Sequence, residues 1–209
     1  ARTVWAIGGD GWAYDIGYGG LDHVLHSNEN VKVLVLDTEV YSNTGGQASK
    51  STKKGAVAEF ANFGKKTIKK DLFKIASCIP NCYVASISLG ANMMQAIKAF
   101  NEAEAHNGPA IIIAYSPCIE HGIKTGMSTS SIEEKLAVEC GYTILMRHDK
   151  ETIIDSKEPD FSKYESFLDN EVRFNALKIK DKDLAKELLE DQKENAMKRF
   201  EYYKRISKK

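Results

Sequence analysis

The sequence has few cysteines, and their spacing does not match a structural zinc site. The four cysteines of the 209 residues stand at positions 78, 82, 118 and 140. Three residues separate Cys78 from Cys82, and no second closely spaced pair follows them, whereas zinc sites usually show such pairs twice. We therefore expect Cys78, Cys82 and Cys140 to be reduced thiols of a cytosolic protein. Cys118 stands in a different context, described below.

Long apolar segments and an excess of one charge are also missing. The longest apolar runs, such as AIIIAY and VKVLVLD, are far too short to cross a bilayer. The 29 Lys and Arg residues balance 29 Asp and Glu residues, which gives no electrostatic reason to expect nucleic acid or an anionic membrane as a partner. No secretory signal is visible, and the chain opens directly on the strand-like TVWAIGG. We expect that it was cut from a larger protein.

Short apolar runs alternate with helical patterns along the first two thirds of the chain. This alternation predicts an α/β fold with an open, mostly parallel sheet and helices on both faces. The predicted strands are TVWAIG, VKVLVLD, YVASISL, AIIIAYS and YTILMRHD. Helices are predicted over residues 12–27, 71–79, 90–106 and 130–141, and a brief one over 56–63.

The composition changes near residue 150. We predict one α/β domain over residues 1–150 and a C-terminal extension over residues 151–209. The extension begins with a polar segment that we interpret as irregular, KETIIDSKEPDFSKYESFLDNE, and ends in a long charged helix from residue 181. We expect the apolar stripe of this helix to pack on the same domain or on a neighbour.

A glycine–aspartate turn, GGDG, follows the first predicted strand. Glycines and a helix N-terminus after a strand are typical of a site for a diphosphate. One interpretation is a dinucleotide site, because Gly9 and Gly11 begin the G-x-G-x-x-G pattern and Asp37 ends the second strand. Position 14 is Tyr, however, and a carboxylate at Asp10 would repel a diphosphate.

The second interpretation is a site for magnesium and a diphosphate. Mg²⁺ prefers oxygen ligands and is usually held by one or two protein groups together with phosphate oxygens. Asp10 would supply the negative charge, and the Thr38 hydroxyl follows it after 28 positions, one strand–helix–strand unit later. The backbone carbonyl of Val40 would complete the protein ligands. A bridging cation explains why an acid stands beside a phosphate.

At this point the sequence resembles a known family. The segments GDGWAYDIGYGGLDHVL and VLDTEVYSNTGGQASKST are similar to the thiamine-diphosphate domain of pyruvate:ferredoxin (flavodoxin) oxidoreductases. The resemblance covers residues 3–148 and, more loosely, the later DSKEPD and EVRFNAL segments. It implies a thiamine-diphosphate-binding fold and a branch in which Thr38 stands where related enzymes have a metal-binding Asn.

The resemblance also implies roles for individual residues. Asp10, Thr38 and the Val40 carbonyl would hold Mg²⁺. Asn43 would be catalytic, with its amide near the thiazolium and the substrate carbonyl, where it stabilises oxyanion charge; without the resemblance it is an ordinary turn residue. The segment 42–54 would close over the cofactor. The residues implied to contact the cofactor are Gly9, Asp10, Gly11, Trp12, Thr38, Val40, Asn43 and Thr44.

Cys118, in AYSPCIEHG, ends the fourth predicted strand. In the resembling enzymes a cysteine here is one ligand of a [4Fe–4S] cluster, and the other three ligands come from a Cys-rich stretch that this sequence does not contain. One thiolate cannot hold a cluster that needs four. We therefore expect Cys118 to be a cluster ligand only in the intact enzyme and a free thiol here. The alternative is a buried, inert cysteine.

The implied reaction is the oxidative decarboxylation of pyruvate to acetyl-CoA and CO₂, with electrons passing through iron–sulfur clusters to ferredoxin or flavodoxin. The implied assembly is a homodimer with further domains, in the cytoplasm or in an anaerobic organelle of a eukaryote. No glutamate matches the one that binds the aminopyrimidine, so we expect this chain alone to bind thiamine diphosphate weakly, if at all, and to show no turnover. Three alternatives remain at this stage: another 2-oxoacid:ferredoxin oxidoreductase or thiamine-dependent decarboxylase, a dinucleotide-dependent dehydrogenase, and a non-catalytic module that retains the fold.

Overall fold

The computed structural model describes residues 3–207, which are organised around one large sheet. Its strands are β1 (Val4–Gly9), β2 (Val31–Asp37), β5 (Tyr83–Ile87), β6 (Ala110–Tyr115), β7 (Met146–Asp149) and β8 (Glu151–Ile154). Two short strands, β3 (Val40–Tyr41) and β4 (Gln47–Ala48), form a separate hairpin. The order in the large sheet is β1-β2-β6-β5-β7-β8.

The first four strands in this order run parallel, which confirms the predicted mostly parallel sheet. The last two strands are antiparallel additions at one edge. Every residue of β5 and β6 is buried, as is typical of parallel strands that are covered on both faces. The helices are α1 (Tyr18–His26), α2 (Leu72–Ser77), α3 (Met93–Ala105), α4 (Ser130–Glu139), α5 (Tyr164–Asp169), α6 (Val172–Lys180) and α7 (Lys182–Ile206).

Helices cover both faces of the sheet, as predicted. On one face, Leu21 of α1, Phe73 of α2 and Phe200 of α7 share a core with Val33 and Ile111 of the sheet. On the other face, the alanines of α3 share a core with alternate residues of β5 and β6, such as Ala85 and Ile112. Each fully buried side chain of phenylalanine or leucine size contributes about 1.5–3 kcal/mol to folding. The site described below is therefore built on a rigid, doubly covered sheet.

The first predicted helix is wrong in one respect, because it is two helices. Residues Gly11–Ile16 form one turn of π-helix, and α1 begins only at Tyr18. The break is at Gly17, whose N–H donates to the carbonyl of Trp12 at 2.9 Å. A Cβ at Gly17 would lie 2.2 Å from the Trp12 ring, so the indole fills the space that a regular turn would need.

Two further expectations about secondary structure are wrong. Residues 56–63 form turns and isolated bridges, and their backbone bonds run to the neighbouring segments, for example from Val57 to the carbonyl of Arg173. The segment after residue 150 is not irregular, since it contains β8, α5 and α6. Its apolar residues Tyr164, Phe167 and Phe174 are buried together with Tyr142, so tertiary packing decides their structure.

Candidate metal and cofactor site

The carboxyl ends of β1, β2, β5 and β6 meet at one edge of the sheet, where α/β proteins usually bind their ligands. Asp10 follows β1 directly, and Thr38 follows β2 directly. The Thr38 hydroxyl lies 3.0 Å from Oδ1 of Asp10 and 3.1 Å from the carbonyl oxygen of Val40. Adjacent parallel strands thus bring a carboxylate, a hydroxyl and a carbonyl to one point.

The Asp10 carboxylate is buried, and its side-chain partners within residues 3–207 are the hydroxyl groups of Ser49 and Thr38. It is 1% exposed, and Ser49 donates to its Oδ2 at 2.5 Å. Burial raises the pKa of Asp10 to about 7, and the charge of Asp37 adds to this effect, against the hydrogen bonds from Ser49 and Thr38. A cation at this carboxylate would favour its charged form and so oppose the effect of burial on the pKa of Asp10.

The Val40 carbonyl reaches Thr38 because of an unusual backbone turn at Glu39. Glu39 has a φ of +61°, in the left-handed region that non-glycine residues seldom adopt. Such a conformation costs about 1–3 kcal/mol and persists only where surrounding contacts impose it. The Glu39 side chain supplies these contacts, and it was not among the predicted site residues.

Glu39 is 1% exposed and is bound on several sides. Lys69 contacts its Oε1 at 2.8 Å, while Arg173 and Tyr142 contact its Oε2 at 2.9 Å and 2.5 Å. Burial alone would raise the pKa of Glu39, but Lys69 and Arg173 hold it well below its ordinary value. Arg173 lies in α6, so the C-terminal extension fixes the turn between Thr38 and Val40.

Asp37, at the end of β2, is part of the same buried network. It accepts hydrogen bonds from Tyr14 at 2.9 Å, from Lys69 at 2.6 Å and from Ser51. This carboxylate is therefore occupied by protein groups. The arrangement does not favour Asp37 as the ribose-binding acid of a dinucleotide site.

The glycines of the turn make room for aromatic side chains. A Cβ at Gly8 would lie 2.5 Å from the Trp12 ring, and a Cβ at Gly11 would lie 2.2 Å from the Tyr41 ring. Gly9 differs, since a Cβ there would meet no atom within 4 Å. Of the predicted diphosphate contacts in the turn, Gly9 lies beside open space, whereas the Trp12 ring packs against Gly8 and Gly17.

The predicted residues that follow β3 lie at the surface. Ser42, Asn43 and Thr44 form a 3₁₀ turn, in which Asn43 and Thr44 are exposed. The Thr44 hydroxyl donates to Oε1 of Gln47 at 2.7 Å. Within residues 3–207, the Asn43 side chain makes no hydrogen bond, so its amide is accessible at the rim of the site.

Further along, the same segment is anchored to the sheet edge by buried hydroxyl groups. Ser49 bonds to Asp10, Ser51 bonds to Asp37, and Thr52 bonds to the carbonyl of Glu39. The sequence SKST carries the hydroxyl groups that do this, but their partners lie 13 to 39 positions away. These three residues were not among the site residues predicted from the sequence. No local sequence pattern indicates which distant groups their hydroxyls will contact.

Cys118 lies beside the oxygen cluster. Ser42 Oγ is 2.8 Å from the Thr38 hydroxyl and donates to Sγ of Cys118 at 3.4 Å. The backbone N–H of Cys118 donates to Nδ1 of the buried His121 at 3.0 Å. Burial and the nearby Arg173 lower the pKa of His121 well below its ordinary value, so the ring is neutral. The cysteine is thus held at the same sheet edge as Asp10.

The donor set fits magnesium and does not fit an iron–sulfur cluster. Asp10, Thr38 and Val40 offer hard oxygen atoms around a buried carboxylate that has no ion-pair partner in the described part of the chain, which is the chemistry Mg²⁺ prefers. No group of three or more His, Cys, Asp or Glu side chains within residues 3–207 is arranged to hold a metal. A [4Fe–4S] cluster needs four ligands, and Cys118 offers only one.

The sequence matches the family model described as thiamine pyrophosphate enzyme, C-terminal TPP binding domain, over residues 1–114. This chain belongs to that family. It is 49% identical over 214 residues to a pyruvate-flavodoxin oxidoreductase of Klebsiella pneumoniae and 50% identical over 213 residues to a pyruvate:ferredoxin oxidoreductase of Moorella thermoacetica. These matches cover 99% of this chain but only 18% of each relative.

Two further relatives widen the comparison. A mitochondrial pyruvate dehydrogenase [NADP(+)] of Euglena gracilis is 48% identical over 98% of this chain, which spans 12% of that relative. Among solved structures, a 2-oxoglutarate:ferredoxin oxidoreductase of Magnetococcus marinus matches 55% of this chain and 40% of its own, with a TM-score of 0.51 and 24% identity. The structural match supports the fold.

Within residues 3–207, no helix has the length and apolar character needed to span a membrane.

Proposed function

We propose that this chain forms the magnesium- and diphosphate-binding part of a pyruvate:ferredoxin or pyruvate:flavodoxin oxidoreductase. Such an enzyme converts pyruvate and coenzyme A to acetyl-CoA and CO₂ and passes electrons to ferredoxin or flavodoxin. The observation that carries the proposal is the convergence of Asp10, Thr38 and the Val40 carbonyl at the sheet edge of a thiamine-diphosphate-binding domain. Pyruvate oxidoreductases match 99% of this chain, and this similarity supports pyruvate as the substrate of the intact enzyme.

In this proposal, Asp10, Thr38 and the Val40 carbonyl would hold Mg²⁺. Asp10 would supply one negative charge, and the other two ligands would be neutral oxygens. The ion would supply the positive charge that a diphosphate needs beside a buried carboxylate. The turn at Glu39 positions two of the three ligands, because it lies between Thr38 and Val40.

The other predicted site residues surround the rest of the cofactor. Gly9 would let the backbone approach the diphosphate, and Gly11, Trp12 and Thr44 would lie beside it. When bound, thiamine diphosphate supplies an electron sink for decarboxylation. The exposed amide of Asn43 donates a hydrogen bond to the substrate carbonyl oxygen and stabilises the negative charge that develops there.

Several parts of the reaction require groups outside this chain. The proposal places the glutamate that binds the aminopyrimidine in another domain, and it places three further thiolates of a [4Fe–4S] cluster beside Cys118 in the intact enzyme. Residues 1–150 act as the cofactor domain, and residues 151–209 support it. The intact enzyme is a homodimer of the cytoplasm or, in a eukaryote, of an anaerobic organelle; the Euglena relative is mitochondrial.

The metal site can be tested on this chain with inorganic diphosphate and Mn²⁺, a paramagnetic substitute for Mg²⁺. Electron paramagnetic resonance should detect one bound Mn²⁺–diphosphate per chain. Asp10→Asn should weaken this binding at least tenfold, whereas Asp22→Asn, on the exposed face of α1, should leave it unchanged. Equal binding by Asp10→Asn would refute the proposed ligand set, and displacement by NAD(H) would favour a dinucleotide site.

The need for other domains is tested by an activity assay. The chain is mixed with pyruvate, Mg²⁺, thiamine diphosphate, coenzyme A and a viologen dye. We expect no dye reduction above the rate without protein, because the aminopyrimidine partner and the clusters are not part of this polypeptide. Robust reduction of the dye would show that residues 1–209 suffice for the reaction.

A further inference from the structure

A cleft lies between helix α7 and the segment that leads into α2. Its volume is about 320 Å³, at the lower end of the range for small-molecule sites. Six of its lining residues are cationic and one is acidic. The cations are Lys53, Lys54, Lys69, Lys74, Lys198 and Arg199, and the acid is Asp71.

Four of these six cations are neutralised by carboxylates. Arg199 contacts Asp71 at 3.1 Å, and Lys198 contacts Glu194 at 2.6 Å. Lys54 pairs with Asp191, while Lys69 pairs with both Asp37 and Glu39. Among residues 3–207, no carboxylate lies within 4 Å of the ammonium group of either Lys53 or Lys74. The cleft therefore holds two amino groups, those of Lys53 and Lys74, that make no direct ion pair within the described part of the chain.

The Lys53 ammonium lies in the wall of this cleft and cannot reach bulk water freely. It donates to the carbonyl oxygen of Tyr142 at 2.8 Å and lies 4.3 Å from the centre of the Tyr142 ring. Burial lowers the pKa of Lys53 to about 7; Glu39 opposes this shift, and Lys69 and Arg199 add to it. A bound anion would offset the repulsion between these cations.

Lys74 also lines the cleft. Its ammonium sits 4.0 Å from the centre of the Tyr202 ring, and this contact holds the long side chain against α7. Lys74 is exposed, so that one face of the site is open to solvent. The cleft thus offers an inner ammonium, an outer ammonium and an entrance between them.

We propose that this cleft binds a phosphoryl oxyanion, either inorganic phosphate or the phosphate group of a small ester, between Lys53 and Lys74. Lysine binds phosphate as a point charge, and an oxyanion beside Lys53 would favour its charged form. The volume leaves room for a phosphoryl group and a small ester attached to it. The site shares no residue with the proposed magnesium ligands and does not depend on the proposed function.

The proposal is tested by titrating the chain with inorganic phosphate, without divalent cations and at constant ionic strength set with chloride. We expect saturable binding by calorimetry and a rise in melting temperature that chloride does not reproduce. Lys53→Met and Lys74→Gln should each weaken binding at least fivefold. Lys98→Gln, an exposed lysine on α3 on the other face of the sheet, is the matched control and should bind as the wild type does.

A second titration uses glycerol 3-phosphate. It distinguishes a phosphate ester from free inorganic phosphate as the ligand. Tighter binding of the ester identifies an esterified ligand, and tighter binding of phosphate identifies the free ion. Because Lys74 is exposed, Lys74→Gln should fold even if Lys53→Met does not. Absence of saturable phosphate binding, or unchanged affinity in Lys74→Gln, would overturn the proposal. Asp10→Asn should bind phosphate with the affinity of the wild type. The phosphate measurement therefore tests the cleft independently of the proposed metal site.

Discussion

The Nη2 atom of Arg173 lies 2.9 Å from Oε2 of Glu39, and both residues are almost completely buried. The same guanidinium also contacts Glu171 at 2.7 Å through Nε. Glu39 stands between Thr38 and Val40, which we propose as magnesium ligands. This ion pair therefore joins the C-terminal extension to the turn that shapes the metal site, across 134 positions of sequence.

Arg173→Met should destabilise the chain by about 3–5 kcal/mol, because it leaves the buried Glu171 without a cation and leaves Glu39 with Lys69 as its remaining ion-pair partner. Urea unfolding measures this loss. Lys178→Met is the matched control, since Lys178 is also on α6 but pairs with Asp169 near the surface, where a pair contributes less than about 1 kcal/mol. Equal losses of unfolding free energy in the two variants would show that the buried ion pair stabilises the chain no more than the surface pair does.

Ser49→Ala should cost about 1–3 kcal/mol of unfolding free energy, because Asp10 would lose a short hydrogen bond while remaining buried. The loss should shrink when Mg²⁺ and diphosphate are added, since the cation compensates the carboxylate. Ser166→Ala, an exposed serine on α5, should change stability little. Melting temperatures with and without Mg²⁺ and diphosphate provide the comparison, and a loss that Mg²⁺ does not alter would argue against a cation at Asp10.

Glycine substitutions should separate folding from cofactor binding. Gly9→Ala should leave the melting temperature unchanged or slightly raised, because its Cβ would meet no atom within 4 Å. It should still weaken Mn²⁺–diphosphate binding if the backbone approaches the diphosphate there. Gly11→Ala should lower the melting temperature, because its Cβ would lie 2.2 Å from the Tyr41 ring. If Gly9→Ala bound diphosphate normally, Gly9 would not line the site.

The stability of the chain should depend on pH through Lys53. Burial lowers the pKa of this lysine to about 7 in the folded chain, whereas an unfolded lysine titrates near about 10.4. Between these values the unfolded chain binds more protons, so the unfolding free energy rises with pH. The unfolding free energy of the wild type minus that of Lys53→Met should therefore increase from pH 7 to pH 10. Urea unfolding in phosphate-free buffer measures it, and a constant difference would contradict the lowered pKa.

Local sequence patterns determined the main features of this protein. Apolar runs of strand length between helical segments predicted a mostly parallel sheet covered on both faces, because burial on both sides requires such runs. Asp10 and Thr38 each follow a predicted strand, and parallel neighbours end at one edge. These inferences need only periodicity and the order of elements, which the sequence displays directly.

Only the tertiary structure decided the rest. The hydroxyl of Ser49 on Asp10, the left-handed turn at Glu39 and the guanidinium of Arg173 depend on partners that are distant in sequence. Strand β8 pairs with the edge that β7 offers, and the π-helical turn ends where the Trp12 ring lies against Gly17. A buried polar group takes whichever partner the packed chain brings within about 3 Å, and no local pattern encodes that choice.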